Sequence, residues 1–372
     1  MTGAPEPGSL VHHYEYSLPD ALIARYPAER RDESRLLVLG AGGESRHRRF
    51  GDLGELLTSD DLLVVNESKV LPARLLGCKP TGAPSEILLI RPWIDPGDGG
   101  TDPSAISEAV GRARVWEALV RPGSKLKPGR SVVISDELTV EILDSVPGGG
   151  RLVRLRSPLT TARAIEKYGR VPLPPYIDRE DEELDRERYQ TVYASGPGSV
   201  AAPTAGLHFT PELLGRLRAD GVRVARVTLH VGIGTFRPVV EDDPAAHPMH
   251  AESYAIPPET SRAIERTRER GGRVWAVGTT VVRTLESASR DDGTVREGTG
   301  STDLFIRPPF RFRAVDGLLT NFHLPRSTLL MLVAAFGGYE RVMRAYEAAV
   351  EEGYRFYSYG DAMAVEPARR SG

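Results

Sequence analysis

Short apolar stretches alternate with polar stretches along most of the chain, and their spacing predicts a succession of strands and helices. Strands are predicted at 36–39, 61–66, 222–231, 273–277, 304–306, 318–322 and 354–359. Helices are predicted at 19–26, 52–57, 258–270, 281–289 and 339–351, with another from Thr328. Thr210 is expected to cap one more helix, which Pro211 opens and Gly221 closes. Because strands and helices alternate, we expect an α/β layer with a mixed sheet.

The segment 73–157 has a different pattern. It contains six predicted strands and no clear helix, and its turns are rich in Gly, Pro and Asp. The strands are predicted at 73–79, 86–93, 115–122, 131–137, 138–146 and 150–157. Such a segment favours a small β-barrel. We therefore predict an α/β domain with a mixed sheet, made of residues 1–72 plus 158–372, with a small β-barrel domain inserted at 73–157.

Composition limits the class of protein. The 372 residues are 40% hydrophobic and 27% charged, with a net charge of −3. No apolar run reaches the roughly 18 residues of a membrane span. The only cysteine, Cys78, excludes an internal disulfide and any site built from several cysteines. The segment 1–9 resembles a disordered lead-in rather than a signal peptide. From these observations together, we expect a cytoplasmic protein that does not bind membranes. We also expect it to act as a monomer.

Polar clusters follow several predicted strands, at 228–238, 278–280, 320–325 and 355–361. Open α/β sheets place their ligands at the carboxyl ends of strands, so these clusters predict one pocket. The loop 199–210 carries a Pro, a Gly, a His and three hydroxyl side chains, and it ends at the N-terminus of the helix capped by Thr210. A helix N-terminus suits a carboxylate or a phosphate. An ordinary capped loop is the alternative interpretation.

A metal site is the less favoured interpretation of the cluster His247, His250 and Glu252. The two histidines lack the helical i,i+4 spacing of zinc proteases, and Pro248 disfavours a helix there. The cysteine pair that would accompany a deaminase zinc site is absent from the sequence. We therefore predict acid–base or substrate-binding roles for His250 and Glu252 and no metal.

Charge is distributed unevenly along the predicted barrel. Between residues 112 and 130 there are six basic residues against one acid, Glu117. This run is either an RNA contact or a solvated surface, and the small net charge of the chain does not decide between them.

Taken together, the sequence motifs of this chain resemble those of the S-adenosylmethionine:tRNA ribosyltransferase-isomerase family of queuosine biosynthesis. The resemblance extends from Tyr16 to Met363 and includes Pro-Leu-Pro-Pro-Tyr-Ile at 172–177 and Ala-Ala-Pro-Thr-Ala-Gly-Leu-His-Phe-Thr at 201–210. The remaining motifs lie at 34–37, 61–75, 189–193, 228–236, 247–252, 278–283, 320–325 and 354–363.

The resemblance implies an α/β domain carrying an inserted β-barrel. It also implies a reaction in which the ribosyl part of S-adenosylmethionine moves to the aminomethyl group of a 7-deazaguanine at the tRNA wobble position. Adenine and methionine leave, the ribosyl carbons become an epoxycyclopentanediol, and no metal takes part. The expected tRNAs have GUN anticodons. The sulfonium acidifies the neighbouring C5′–H, so a histidine or a carboxylate is basic enough to remove that proton.

Most site residues follow from the matched motifs as hypotheses, and Arg121, Lys125 and Lys127 are taken from the basic run between residues 112 and 130. Those expected to transfer protons are His208, His230, His250, Glu252 and His323. Those expected to bind S-adenosylmethionine are Thr204, Gly206, Thr210, Gly278, Thr279, Thr280, Arg283, Asn321 and Asp361. Those expected to contact tRNA are Lys69, Arg74, Arg121, Lys125, Lys127 and Tyr359. The donor carboxylate is expected at the N-terminus of the helix after Thr210 or at the turn 278–280.

Four positions depart from the strings usual in the family. Val281 replaces a serine, Glu67 replaces Asn or Asp, the string 334–337 lacks a usual serine, and 307–309 reads Arg-Pro-Pro instead of Tyr-Pro-Gly. Three alternatives stay open, and the altered loop 307–309 supports only the first of them. They are the same ribosyl chemistry on another acceptor, a tRNA-binding module without catalysis, and a metal-dependent hydrolase built on His247 and His250.

Overall fold

A nine-stranded mixed sheet forms the centre of the computed structural model, which describes residues 6–94, 102–232, 239, 241–247 and 249–368. In order across the sheet, the strands are β15 (Gly298–Thr302), β13 (Glu252–Ile256), β12 (Arg223–Leu229), β3 (Leu62–Asn66), β14 (Val274–Val277), β16 (Gly317–Asn321), β17 (Ala362–Val365), β1 (Arg35–Leu39) and β2 (Ser45–Arg49). Strands β12, β3, β14 and β16 are mutually parallel. Their carboxyl ends therefore lie at one edge of the sheet.

Helices cover both faces of this sheet because its strands are apolar on both sides. On β1, Leu37 and Leu39 pack into one core, while Leu36 and Val38 pack into the other. The first core includes side chains of α5 (Pro258–Glu269), α6 (Thr279–Ala288), α7 (Thr328–Gly337) and α8 (Tyr339–Glu351). The second includes α4 (Pro211–Ala219), which Thr210 caps as predicted. The α/β part of the predicted fold class is thus confirmed.

Six antiparallel strands close into a barrel. They are β5 (Arg74–Cys78), β6 (Pro84–Pro92), β7 (Val115–Arg121), β8 (Ser131–Val133), β9 (Thr139–Val146) and β10 (Gly150–Arg156), in the closed order β10-β7-β6-β5-β8-β9. Buried and less buried residues alternate along β7, as expected for a barrel wall. The barrel is confirmed, and the domain boundaries at 72 and 157 remain a prediction.

Three further helices and a small strand pair connect the two parts. The helices are α1 (Pro103–Val110), α2 (Thr161–Tyr168) and α3 (Glu183–Arg188), and β4 (Ser68–Val70) pairs in parallel with β11 (Gly196–Ser199). The absence of a helix from 73–157 was a wrong prediction, since α1 lies there. It packs against β11, with Ser107 Oγ donating to the carbonyl of Pro197 at 2.7 Å. The barrel insertion is therefore tied directly to the edge of the sheet that carries the polar loops.

Two predicted strands are wrong. Residues 304–306 form no strand, and residues 354–359 form a loop with one isolated bridge between Ile23 and Phe356. The last strand is β17, which begins at Ala362. Two predicted helices are 3-10 helices rather than α-helices: the first is only three residues long, Asp20–Leu22, and the second is Phe50–Glu55. The predicted lead-in falls partly on residues 1–5, which lie outside the described residues. In the described ranges, no helix has the length and apolarity needed to cross a bilayer.

Candidate active site

A cleft of about 700 Å³, including its open mouth, lies at the carboxyl ends of β14 and β16. Segments 201–205, 278–280, 320–324 and 357–358 supply most of its wall. Of the residues predicted to bind the donor, those that line it are Thr204, Gly278, Thr279, Thr280 and Asn321. His323, from the predicted proton-transfer set, lines it as well. The prediction of one pocket after these strands therefore agrees with the geometry.

The N-terminus of α6 faces this cleft. Gly278 has φ +96°, a backbone conformation that L side chains rarely adopt, and its N–H donates to the carbonyl of Leu319 at 2.7 Å. This turn brings Thr279 and Thr280 to the wall, and Thr280 Oγ1 is buried without a partner among the described residues. A helix N-terminus carries partial positive charge, so this end of the cleft suits a carboxylate.

His323 is a neutral side chain in the cleft. Its Nε2 lies 2.9 Å from Thr320 Oγ1, its backbone N–H donates to Tyr346 Oη at 3.0 Å, and its carbonyl accepts from Tyr16 Oη. Burial lowers the pKa of His323 to about 3. The imidazole is therefore uncharged at neutral pH and fits a hydrogen-bonding role better than that of an acid.

His208, also predicted to transfer protons, lies behind the cleft and does not line it. Its Nδ1 is 2.6 Å from Ser34 Oγ, and its Nε2 is 3.1 Å from Asn321 Nδ2. The ring stacks on Phe50 with centroids 5.0 Å apart, and burial lowers its pKa to about 3. Both nitrogens are engaged by the protein, so His208 has no lone pair available to a substrate.

A second cavity, of about 1130 Å³ with its mouth, lies between the barrel and the sheet edge. His230, His250 and Glu252 line it together, and Val231 borders both this cavity and the cleft. The predicted proton-transfer residues thus fall into three groups. His230, His250 and Glu252 line the second cavity, His323 lines the cleft, and His208 lines neither.

His230 is held by the barrel insertion and by the end of β12. Its Nε2 lies 3.2 Å from the carbonyl oxygen of Pro103 in α1, and since a carbonyl only accepts, Nε2 carries the hydrogen. Its Nδ1 is buried and has no partner within the described ranges. Burial lowers the pKa of His230. The side chain is therefore a neutral imidazole with one uncommitted lone pair, which is the state a general base requires.

The end of β12 is fixed by Asn66, the last residue of β3. Its Oδ1 accepts from the backbone N–H groups of Ser68 and Leu229, both at 3.1 Å, and its Nδ2 donates to the carbonyl of Leu229 at 3.0 Å. A fully buried amide with these bonds joins two neighbouring strands where both end. Asn66 therefore positions the residue that follows Leu229, which is His230.

Arg283 pairs with Glu252 and does not line the donor cleft. The side chains are 4% and 5% exposed, and Arg283 also donates to the carbonyls of Leu304 and Thr302 at 3.1 and 3.2 Å. Glu252 Oε1 accepts from the N–H of Gly232 at 3.0 Å. Arg283 therefore holds the Glu252 carboxylate in place, and no described group of three His, Cys, Asp or Glu side chains has a metal-binding arrangement.

Three other residues predicted to bind the donor support the loops rather than the cleft. Thr210 Oγ1 accepts from the N–H of Leu213 at 3.0 Å as the cap of α4. A Cβ on Gly206 would lie 2.1 Å from Tyr193 Oη, so only glycine fits there. Asp361 accepts from the N–H groups of Arg35 and Arg355 at 2.9 and 2.8 Å, which fastens the loop 355–361 to β1.

Tyr176, Tyr357 and Ser358 also line the cleft. Tyr357 and Ser358 belong to the predicted polar cluster 355–361 but were not named individually as binding residues, and the sequence did not single out Tyr176. The two tyrosine rings have centroids 4.6 Å apart, and Tyr176 Oη is hydrogen-bonded to Ser358 Oγ. Tyr357 has φ +72°, which is unusual for a residue with a side chain. The aromatic residues of 354–359 were the sequence signal for this part of the cleft wall. They alternate with other residues as in a strand, and the segment was therefore predicted to be one.

The predicted tRNA contacts differ in exposure. Arg121, Lys125 and Lys127 are exposed on the barrel, and in the described part of the chain no carboxylate lies within ion-pair distance of them. Lys69 is also exposed, whereas Arg74 forms a bidentate pair with Glu86 at 3.0 and 3.2 Å.

Tyr359 does not suit a contact with a macromolecule. The residue is 3% exposed, and its hydroxyl donates to Asp185 Oδ1 at 2.7 Å.

Two motif segments were predicted to continue this site, and their residues 233–236 and 248 lie outside the described residues.

Comparisons with known proteins agree with this geometry. Residues 11–365 match the family model of the queuosine biosynthesis protein. An S-adenosylmethionine:tRNA ribosyltransferase-isomerase of Trichlorobacter lovleyi is 50% identical over 357 residues, covering 96% of this chain and 99% of the relative. One from Thermus thermophilus is 53% identical over 365 residues, covering 95% and 98%. The crystal structure of S-adenosylmethionine tRNA ribosyltransferase from Thermotoga maritima is 42% identical, covers 94% of this chain and 99% of that chain, and has a TM-score of 0.52. The chain therefore belongs to the queuosine biosynthesis family, the S-adenosylmethionine:tRNA ribosyltransferase-isomerases, as its motifs predicted.

Proposed function

We propose that the cleft binds S-adenosylmethionine and that the second cavity receives the aminomethyl-deazaguanine base of tRNA. The ribosyl part of the donor then moves to the aminomethyl nitrogen, and adenine and methionine are released. The observation that carries this proposal is the pair of cavities that meet at Val231, with His230, whose Nδ1 has no partner among the described residues, lining the second one.

The cleft offers chemistry that suits each part of the donor. The N-terminus of α6 faces one part of the wall and complements the carboxylate of the methionyl group. The rings of Tyr176 and Tyr357 offer aromatic surface for a purine. The remaining wall is mostly apolar, with Ala201, Ala202 and Leu329 among its residues. Such a wall excludes water from a reactive sulfonium.

Proton transfer is assigned to the second cavity. The sulfonium makes the C5′–H of the donor acidic, and the acceptor amine attacks only in its neutral form. His230 Nδ1 is the group proposed to take one of these protons, because its partner Pro103 fixes the other ring nitrogen as N–H. Glu252, held in place by Arg283, is proposed to act beside it. His250 lines the same cavity and completes the proposed set.

The tRNA is proposed to lie along the barrel. Arg121, Lys125 and Lys127 are exposed there without carboxylate partners among the residues described, which leaves their charges available to phosphates. We further propose that the substrates are tRNAs with GUN anticodons and that the protein works as a monomer in the cytoplasm. The anticodon preference rests on the family resemblance, and the location and the monomeric state rest on the composition of the chain.

The departures from the family strings give little support to a different acceptor. Val281 is fully buried in the core on one face of the sheet, so its missing hydroxyl removes no group from the cleft wall. Arg307 lines neither the cleft nor the second cavity within the described ranges. The altered residues therefore leave both proposed binding regions intact.

Nucleoside mass spectrometry tests the proposal directly. Purified protein is mixed with S-adenosylmethionine and a tRNA carrying the aminomethyl-deazaguanine base, with Glu252→Gln and His230→Ala as comparison variants. An epoxycyclopentanediol adduct with one adenine released per adduct is expected, and both variants should lose it. Adenine release without a tRNA adduct would indicate another acceptor. Neither product, with tRNA still bound, would indicate a binding module without catalysis.

A further inference from the structure

The amide of Asn321 has only one orientation compatible with its surroundings. Nδ2 lies 3.1 Å from His208 Nε2, 3.1 Å from the carbonyl of Tyr357 and 3.5 Å from the carbonyl of Asp361. Carbonyl oxygens only accept hydrogen bonds, so the atom that faces them must be the NH₂ group. Oδ1 is then the remaining polar atom of a side chain that lines the cleft, and it is buried without a partner among the described residues.

His208 and Ser34 enforce this orientation from behind the cleft. Because Nε2 of His208 accepts from Asn321, its hydrogen is on Nδ1 and is donated to Ser34 Oγ at 2.6 Å. The Ser34 hydroxyl donates in turn to the carbonyl of Arg31 at 3.1 Å. Each donor in this series of hydrogen bonds meets an acceptor. Reversing the Asn321 amide would therefore place its oxygen against three acceptors. His208 is therefore a positioning residue for Asn321.

An unpaired buried acceptor is costly unless a ligand supplies a donor to it. The donor molecule offers N–H groups on a flat ring at the 6-amino group of its adenine. Tyr357, whose carbonyl fixes the Asn321 amide, also contributes its side chain to the cleft next to Tyr176. Asn321 is thus bonded to one of the two residues whose rings suit a purine, and all three residues line the same cleft.

We propose that Asn321 Oδ1 accepts a hydrogen bond from the 6-amino group of the donor adenine, and that His208 and Ser34 hold the amide for this contact. The inference rests on the proposed function of the cleft and adds the group that recognises the purine. A purine with a 6-oxo group would place an acceptor against Oδ1, and the cleft should reject it.

The test compares S-adenosylmethionine with its 6-deaminated analogue, S-inosylmethionine, in steady-state adenine or hypoxanthine release with modified tRNA. Wild-type kcat/KM is expected to be about 100-fold higher for the adenine compound. Asn321→Ala should lower kcat/KM for S-adenosylmethionine and reduce the preference to less than about 5-fold. Ser34→Ala, a milder change, should reduce the preference partly through KM, with the pH profile of kcat unchanged.

The wild-type comparison is sufficient to overturn the inference, so its refutation does not depend on whether a variant folds. Efficient turnover of S-adenosylmethionine with equal turnover of the 6-oxo analogue would overturn the role of Asn321 and leave the proposed function standing. A preference that survives Asn321→Ala in folded protein would overturn it too. Failure of wild-type protein to bind or turn over S-adenosylmethionine would refute the proposed function and this inference with it.

Discussion

Gly198 offers a way to move His230 without changing the histidine itself. Gly198 has φ +147° and lies in β11 against the imidazole ring. A Cβ built at this position would be 2.6 Å from His230 Cε1, 2.9 Å from Nε2 and 3.0 Å from Nδ1. The first of these distances is roughly 0.8 Å short of ordinary contact, so in a Gly198→Ala variant the ring must move by an amount of that order.

A displacement of about 1 Å at a reacting group lowers the rate about 100-fold. We therefore expect Gly198→Ala to reduce kcat for adenine release about 100-fold at saturating tRNA and S-adenosylmethionine. The cleft wall does not include Gly198, so the dissociation constant for S-adenosylmethionine should change less than about 2-fold. Calorimetric titration of the donor and single-turnover kinetics measure the two quantities separately.

The substitution also places a side chain in a backbone conformation that costs about 1–3 kcal/mol of stability. Gly82→Ala is the matched control, since Gly82 has φ +83° with nothing within 4 Å of its Cβ position. The control should lose stability in urea unfolding and keep its activity. If folded Gly198→Ala protein retained more than about a third of the wild-type kcat, the placement of His230 as a base would be refuted.

Three further outcomes are expected. Burial holds the pKa of His323 at about 3, below its ordinary value near 6.5, so the unfolded chain takes up the extra proton as pH falls from about 6.5 towards 3. This one group should lower the free energy of unfolding by up to about 1.4 kcal/mol per pH unit in that window, and His208, whose pKa burial also lowers to about 3, should add a similar share. His323→Gln should therefore reduce the measured slope by up to about 1.4 kcal/mol per pH unit without abolishing it, and an unchanged slope would contradict the neutral assignment. Arg283→Met should cost about 3–5 kcal/mol in urea unfolding by leaving buried Glu252 unpaired, and the added change Glu252→Gln should restore part of it. The paired change Lys125→Gln and Lys127→Gln should lower the slope of log Kd for tRNA against log salt by about 1 per side chain, whereas Lys167→Gln, which removes a charge already paired with Glu137 at 2.6 Å, should leave it unchanged.

Much of the fold follows from local signals. The apolar spacing of α5 and α8, the cap at Thr210 and the alternation along the barrel strands are properties of short segments, and a sequence displays them directly. The segment 354–359 shows the limit of such signals. Its aromatic residues alternate as in a strand, yet Tyr357 turns the chain with φ +72° and Asp361 fastens the loop to β1. That contact joins residues 326 positions apart, and no local pattern reports it.

The features of the candidate site also divide into those that the sequence predicts and those that only the tertiary fold shows. The polar loops after β14 and β16 were expected at one sheet edge, because parallel strands end together. The sequence could not separate the histidines by role. His208 is engaged by Ser34 and Asn321, which are 174 and 113 positions away, whereas His230 meets a single carbonyl and keeps one lone pair. Partners of this kind come from the tertiary fold. His208, His230 and His323 therefore look alike in the sequence but have three different environments in the structure.

The barrel insertion is part of the candidate active site rather than a separate attachment to it. Pro103 of α1 accepts from His230, and Ser107 of the same helix donates to Pro197 next to Gly198. The barrel side of the second cavity also includes Gly148, in the turn between β9 and β10. The same insertion therefore fixes the tautomer of His230 and supplies part of the wall of the cavity proposed for the acceptor base.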